Sequence, residues 1–110
     1  MITLSTETQF SDRSSRMSDN IIFIGGKPFM NYVTGVVMQF TTKNAEDVII
    51  KARGKFISRA VDVAEVSAKR FLDNAVEVTD IRIDSEGFKN IEGRDVRVST
   101  IEITLSKNRQ

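Results

Sequence analysis

The strongest constraint on the fold is a repeated pattern, in which a short apolar run leads directly into a helical stripe. Residues 21–24 (Ile-Ile-Phe-Ile) form a continuous apolar run that two glycines end, which predicts a buried strand. Over residues 28–40, apolar side chains recur at three- and four-residue spacing after a proline, which predicts an amphipathic helix. The same two signals return as a strand at residues 47–52 and a helix at residues 57–72.

The rest of the chain predicts two further strands and a long connection between them. Apolar and polar residues alternate over residues 76–83, but the parity switches near Thr79 and Asp80, which predicts a β-bulge or a strand with two apolar faces. Residues 84–95 contain two glycines and predict a long hairpin connection, and residues 96–105 predict the last strand. The element order is β-α-β-α-β-β. We therefore predict an α+β two-layer sandwich, with a mixed four-stranded sheet and two helices on one face.

One domain accounts for most of the 110 residues. Residues 1–18 are polar, rich in serine and threonine, and without a sustained period, so we expect a disordered N-terminal tail. The domain is predicted to cover residues 19–107. Met17 begins a segment typical of a protein N-terminus, and we hypothesise that it is the native start.

Composition argues against an enzyme. The chain has no cysteine and no histidine, which removes thiolate nucleophiles, disulfides, and the commonest general base and metal ligand. No pair of carboxylates lies in an apolar context that would separate their two pKa values. We predict no catalytic residue, no metal and no cofactor; the enzymatic alternative is a nuclease with metal-binding carboxylates on a basic face. No apolar run approaches the ~20 residues of a membrane-spanning helix, so we expect a soluble, cytoplasmic protein.

The densest cluster of positive charge follows the second predicted strand. Lys51, Arg53, Lys55 and Arg59 occur in a segment without acidic residues, and Gly54 permits a sharp backbone turn there. A turn, a helix N-terminus and several cations together favour the binding of phosphate. A solvated loop with ordinary surface charges explains the same composition equally well.

A second basic turn, Gly-Gly-Lys-Pro, places Lys27 at the start of the first helix. Both basic turns follow a strand and precede a helix, so they are expected at the same end of the sheet. This predicts one composite phosphate-binding surface, on which neighbouring cations act together on a polyanion. The net charge is only +1, from 16 basic and 15 acidic residues, so such a surface requires the two signs of charge to be segregated.

The predicted hairpin also carries positive charge. Lys89, Arg94 and Arg97 lie in it or beside it, and a projecting β-arm with these side chains would fit along a nucleic-acid groove. The same segment contains four acidic residues, so a solvated, mobile loop is equally consistent with it.

Several ordered segments resemble motifs of the archaeal Alba family of chromatin proteins. They are residues 24–33 (IGGKPFMNYV), 50–55 (IKARGK), 57–62 (ISRAVD), 70–72 (RFL) and 97–103 (RVSTIEI). Together they extend over residues 20–107. The resemblance implies the same β-α-β-α-β-β sandwich, which also occurs in the C-terminal domain of a bacterial translation initiation factor. It further implies a homodimer that binds duplex DNA with little sequence preference, and often RNA.

The resemblance also implies roles for individual residues. The body of the family's binding surface corresponds to Lys27, Lys51, Arg53 and Lys55, and the hairpin arms of the dimer reach along the minor groove. Phe71, which the helical stripe alone predicts in the core, corresponds to an aromatic residue at dimer–dimer contacts in some relatives. The nucleic-acid-binding residues predicted from all these features are Lys27, Lys51, Arg53, Lys55, Arg59, Lys89, Arg94 and Arg97.

One departure from the family pattern concerns Gly26. Many members have two lysines before the proline, and this chain has glycine in the first place. One phosphate contact is therefore missing in each subunit. Lys27 is therefore the remaining lysine of this motif and the predicted site of regulation by lysine modification.

These features favour an architectural chromatin protein that coats duplex DNA in the nucleoid, as a homodimer that can assemble further on DNA. Few base edges would be read, and phosphate neutralisation would provide the affinity. An RNA chaperone or ribonucleoprotein subunit is the alternative within nucleic-acid binding. An oligomeric scaffold without affinity for nucleic acid is a third hypothesis.

Overall fold

The computed structural model describes residues 20–108, so the predicted tail and Met17 lie outside the described residues. The strands are β1 (Ile21–Phe23), β2 (Asp47–Arg53), β3 (Val76–Lys89) and β4 (Asp95–Lys107), and the helices are α1 (Phe29–Thr41) and α2 (Ile57–Val66). A 3₁₀ turn (Gly54–Phe56) leads into α2, and a π-helical turn (Ser67–Phe71) extends it. The observed order confirms the predicted β-α-β-α-β-β pattern. Neither helix of this part of the chain is long and apolar enough to cross a membrane.

The four strands form one mixed sheet in the order β1-β2-β4-β3. Strand β1 pairs with β2 in parallel, and β4 lies antiparallel to both β2 and β3. Helix α1 therefore connects neighbouring parallel strands, whereas α2 crosses over β4 to reach β3. This arrangement confirms the predicted mixed sheet and α+β fold.

The core lies between the helices and one face of the sheet. Alternate residues of β2 and β4 point towards the helices, as the period of two in a strand requires. The fully buried side chains include Val33, Val36, Val48, Ile50, Val63 and Leu105. Small residues such as Ala60 and Ala64 let α2 approach the sheet closely. The other face of the sheet is left with exposed side chains, among them Phe23.

Strand β3 contains a bulge at the predicted parity switch. Val78 and Asp80 pair with consecutive residues of β4, so Thr79 is the extra residue. This confirms the bulge as the correct alternative. Because of it, Ile81 and Ile83 lie on the same face as Val78, opposite the buried isoleucines of β4.

The long connection predicted at residues 84–95 is wrong. Strand β3 continues to Lys89 and β4 begins at Asp95, so the actual turn is confined to residues 90–94. Side chains on both faces of this arm are largely exposed, so its sequence has no apolar alternation that would mark a strand. Backbone pairing defines the arm instead, and the Asn90 side chain accepts two backbone hydrogen bonds within the turn.

The expectation that Phe71 lies in the core is also wrong. Its side chain is 51% exposed, while the next residue, Leu72, is buried. A π-helical turn contains more residues per turn than an α-helix and therefore rotates the apolar stripe. Asp73 and Asn74 then adopt positive φ and end the helical segment where the sequence predicts its end.

Candidate nucleic-acid interface

The two basic turns lie at the same end of the sheet. They follow β1 and β2, which are parallel neighbours, so both turns leave the sheet at its carboxyl edge. The first turn contains Lys27, and Arg53 and Lys55 flank Gly54 in the second. Gly54 has φ of +55°, and an added Cβ would lie 3.3 Å from the Val98 side chain, which confirms the predicted sharp turn.

Tyr32 fixes the first turn to the core. Its buried side chain reaches back from the first turn of α1, and its hydroxyl accepts hydrogen bonds from the backbone N–H groups of Gly25 and Lys27, both at 3.0 Å. Sequence reasoning gave Tyr32 no role at the site. The sequence does contain a signal for this role. Tyr32 is the chain's only tyrosine, and a tyrosine hydroxyl in a buried stripe needs a hydrogen-bond partner.

Arg59 connects the two basic turns. Its Nη1 donates a hydrogen bond of 2.8 Å to the carbonyl oxygen of Gly25, and its guanidinium lies 5.7 Å from the centre of the Tyr32 ring. A side chain of the second helix thus holds the turn before the first helix. The structure gives Arg59 this bridging contact, and its predicted contact with phosphate remains a prediction.

Two of the predicted cations lie on the open face of the sheet and are paired with acids. Lys51 Nζ lies 3.5 Å from Glu102 Oε2, and Arg53 Nη2 lies 3.3 Å from Glu86 Oε1. Exposed ion pairs of this kind contribute only about 0–1 kcal/mol. A polyanion that approaches this face would therefore meet cations held by weak pairs.

Lys27 and Lys55 are the least constrained cations of the two turns. Both are exposed, and neither forms an ion pair with another residue in the range 20–108. Lys55 Nζ lies 5.4 Å from the centre of the Phe56 ring. The ammonium groups of Lys27 and Lys55 are available to an anion without loss of an existing pair.

The cations of the arm have local partners. Lys89 pairs with Asp95 at 2.8 Å, and Arg94 lies 4.0 Å from Glu92. Arg97 lies flat across β3 and donates to the hydroxyl and the carbonyl oxygen of Ser85, both at 3.2 Å. The arm is therefore mixed in charge. Lys89 and Arg94 lie at the end of the arm, whereas Arg97 precedes Val98, whose side chain adjoins Gly54 in the second basic turn.

The family model for Alba matches residues 20–85, which is more than half of the chain. The chain belongs to the Alba family. The DNA/RNA-binding protein Alba of Nanoarchaeum equitans is 58% identical over 87 residues, which cover 78% of this chain and 96% of that protein. The protein of the same description from Methanococcus maripaludis is 48% identical over 89 residues, which cover 81% and 99%. The resemblance inferred from the sequence motifs is thereby confirmed.

Solved Alba structures agree with the fold. Alba from Thermoplasma volcanium superposes with a TM-score of 0.73 at 52% identity, and the match covers 80% of this chain and 100% of that one. A trypanosomal Alba structure, from Trypanosoma brucei, has a TM-score of 0.61 at 22% identity and shows that the fold extends to distant sequences. In this member of the Alba family, the sheet edge with the two basic turns is the candidate interface.

Proposed function

We propose that this chain is an architectural protein of the archaeal nucleoid, which binds duplex DNA with little sequence preference as a homodimer. One observation carries the proposal. The backbone of Lys27 is fixed by Tyr32, the same turn is tied to α2 by Arg59, and the turn with Arg53 and Lys55 lies at the same sheet edge. A rigid group of cations suits the regular spacing of phosphates, and it reads no base edge.

The dimer is supported by an uncovered apolar surface on β3. Ile81 and Ile83 are 57% and 79% exposed on the helix-facing side of the sheet, where the two helices leave them largely uncovered. Ile57 at the start of α2 lines the same cleft as Ile83. A contiguous exposed apolar surface of this kind favours association. A second copy would bury the isoleucines and would double the basic surface, so that the two linked sites bind with avidity.

The test is duplex binding across a salt series, followed by fluorescence anisotropy. If ~6 phosphates are neutralised per dimer, log K falls with log salt at a slope of about −5. Arg53→Ala removes two contacts per dimer, so the slope should become shallower by about 2. Lys69→Ala is the matched control, because Lys69 is also paired with a glutamate but lies in the π-helical turn after α2, away from the two basic turns. AT-rich and GC-rich duplexes should bind equally. Absence of binding at low salt, or a slope near zero, would overturn the proposal and favour a scaffold.

RNA binding is the second candidate, because the relatives' names include both nucleic acids. Duplex RNA is A-form, with a deep, narrow major groove and a wide minor groove, so a rigid basic surface will not fit both helices equally. Competition between A-form and B-form duplexes of the same sequence decides between the two. For the nuclease alternative, the described residues contain no group of three or more acidic side chains positioned to hold a metal ion.

Regulation by modification is proposed at Lys27. Its side chain is exposed and unpaired among the described residues, so acetylation would remove a cation without disturbing a packed contact. The hydrogen bond from Lys27 to Tyr32 involves the backbone N–H, so it would survive the modification.

A further inference from the structure

The open face of the sheet carries an aromatic side chain that the fold does not use. Phe23, the last residue of β1, is 69% exposed and faces away from the helices. An exposed phenyl ring offers a flat apolar face on which a ligand with its own aromatic ring can stack. Its neighbour across the ladder is Lys51, whose Nζ lies 5.9 Å from the ring centre.

Phe23 lines a cleft of about 510 Å³ together with a second aromatic residue, Phe56. Apolar side chains, including Ala52 and Val98, contribute to its lining. This volume lies within the usual range of small-molecule sites, which are apolar with a few polar groups that fix orientation. Phe23 also lines the adjoining cleft that contains Lys27, so the aromatic surface lies between the two basic turns.

The charged residues of the cleft suit a nucleotide. Lys51 and Arg53 line it and would meet phosphates, whereas the carboxylates of Glu86 and Glu102 are hydrogen-bond acceptors for amino and imino groups of a nucleobase. Aromatic side chains beside a basic groove are the usual means of binding single strands, because every base has a face that can stack. Bases in a duplex are already stacked and paired, so they cannot present that face to Phe23.

We infer that the cleft between Phe23 and Phe56 binds an unpaired base of a single-stranded nucleic acid, with the base stacked on Phe23. Lys51, Arg53 and Lys55 would hold the flanking phosphates. The site shares these cations with the proposed duplex surface, but the stacking itself requires only that a strand be unpaired.

The experiment compares four ligands of equal length: a mixed-sequence 12-nucleotide RNA without secondary structure, its DNA counterpart, the same DNA as a duplex, and a DNA strand that is abasic at every position. Anisotropy titrations use the full chain as wild type, Phe23→Leu and Phe23→Tyr. Leucine keeps an apolar side chain without the aromatic face, and tyrosine keeps the face. Sedimentation velocity of each variant controls for oligomeric state.

Phe23→Leu should weaken binding of both base-bearing single strands about tenfold, which is the effect of one lost stacking contact. Phe23→Tyr should bind as wild type does. All three proteins should bind the abasic strand and the duplex equally. Unchanged affinity of Phe23→Leu for the single strands overturns the inference, as does an equal loss on the duplex and the abasic strand. A change in oligomeric state on Phe23→Leu would assign Phe23 to a protein interface instead.

The two proposals fail separately. If the wild type does not bind the duplex but Phe23→Leu and Phe23→Tyr still differ on single strands, duplex coating is wrong and the stacking site stands. If duplex binding shows the expected salt slope and the Phe23 variants do not differ, the stacking site is wrong and duplex coating stands.

Discussion

Removal of one oxygen atom, by Tyr32→Phe, should loosen the first basic turn while the core remains packed. The Tyr32 hydroxyl accepts two backbone hydrogen bonds of 3.0 Å, from Gly25 and Lys27. A typical hydrogen bond contributes about 1 kcal/mol net, and both N–H groups lie in a partly buried turn where water can replace only part of the loss. The expected cost in the free energy of unfolding is therefore about 2 kcal/mol.

For a domain of this size, 1 kcal/mol corresponds to roughly 4–8 °C in Tm, so Tyr32→Phe should melt about 8–16 °C below wild type. Differential scanning calorimetry measures this directly. The phenyl ring keeps its packing and its contact with Arg59, so the loss reports the hydroxyl alone. Thr41→Val is a suitable control, because it also removes one hydroxyl hydrogen bond, from Thr41 to Val37, but at an exposed position. It should change Tm little.

The same substitution should weaken duplex binding several-fold at 25 °C, because Lys27 would no longer be held in place before DNA arrives. The salt slope should stay unchanged, since no cation is removed. A fall in Tm of less than ~2 °C, similar to that of Thr41→Val, would refute the argument that Tyr32 organises the turn. Lower affinity with a shallower slope would show that Lys27 loses its contact altogether.

Two further variants test the binding surface and the dimer. An added Cβ at Gly26 meets no atom within 4 Å, so Gly26→Lys should fold normally, bind duplex more tightly and steepen the salt slope by about 2 per dimer, whereas Gly26→Ala should bind as wild type does. No gain in affinity would show that phosphates do not pass this turn. Ile83→Glu should dissociate the dimer in sedimentation equilibrium and lower duplex affinity at least about tenfold through lost avidity, while Ile91→Glu in the exposed arm turn should not. A dimeric Ile83→Glu would place the interface elsewhere.

The element order was predictable because each buried element has a clear period. The apolar stripe of α1 and the alternation in β2 follow directly from which side chains enter the core. The bulge at Thr79 was predictable for the same reason, since it changes the parity of a half-buried strand. The arm was not predictable at this level, because residues 84–89 are exposed on both faces and only backbone pairing with β4 makes them a strand.

At the candidate site, sequence located the cations but not their partners. The positions of Lys27 and Arg53 after neighbouring strands placed both at one sheet edge. The bridging contact of Arg59 joins residues 34 positions apart, and no local pattern encodes it. Tyr32 lies in the apolar stripe of α1. The periodicity of that stripe predicts a buried ring, but it gives no information about the hydrogen bonds of the hydroxyl. The acids that pair with Lys51 and Arg53 come from the last two strands, and their proximity depends on register.

The bulge at Thr79 affects the direction of the arm without affecting which side chains the arm carries. Thr79 is the unpaired extra residue, anchored by a 2.7 Å hydrogen bond between its hydroxyl and that of Ser106. Loss of this one residue would leave a regular ladder in which Val78, Ile81 and Ile83 still share one face, because their partners on β4 are consecutive alternate residues. The strand would lose the local bend and extra twist that a bulge introduces. Deletion of one codon would therefore redirect the arm, and in the proposed dimer it would change the length of duplex that the two arms reach, while the side chains of the arm stay the same.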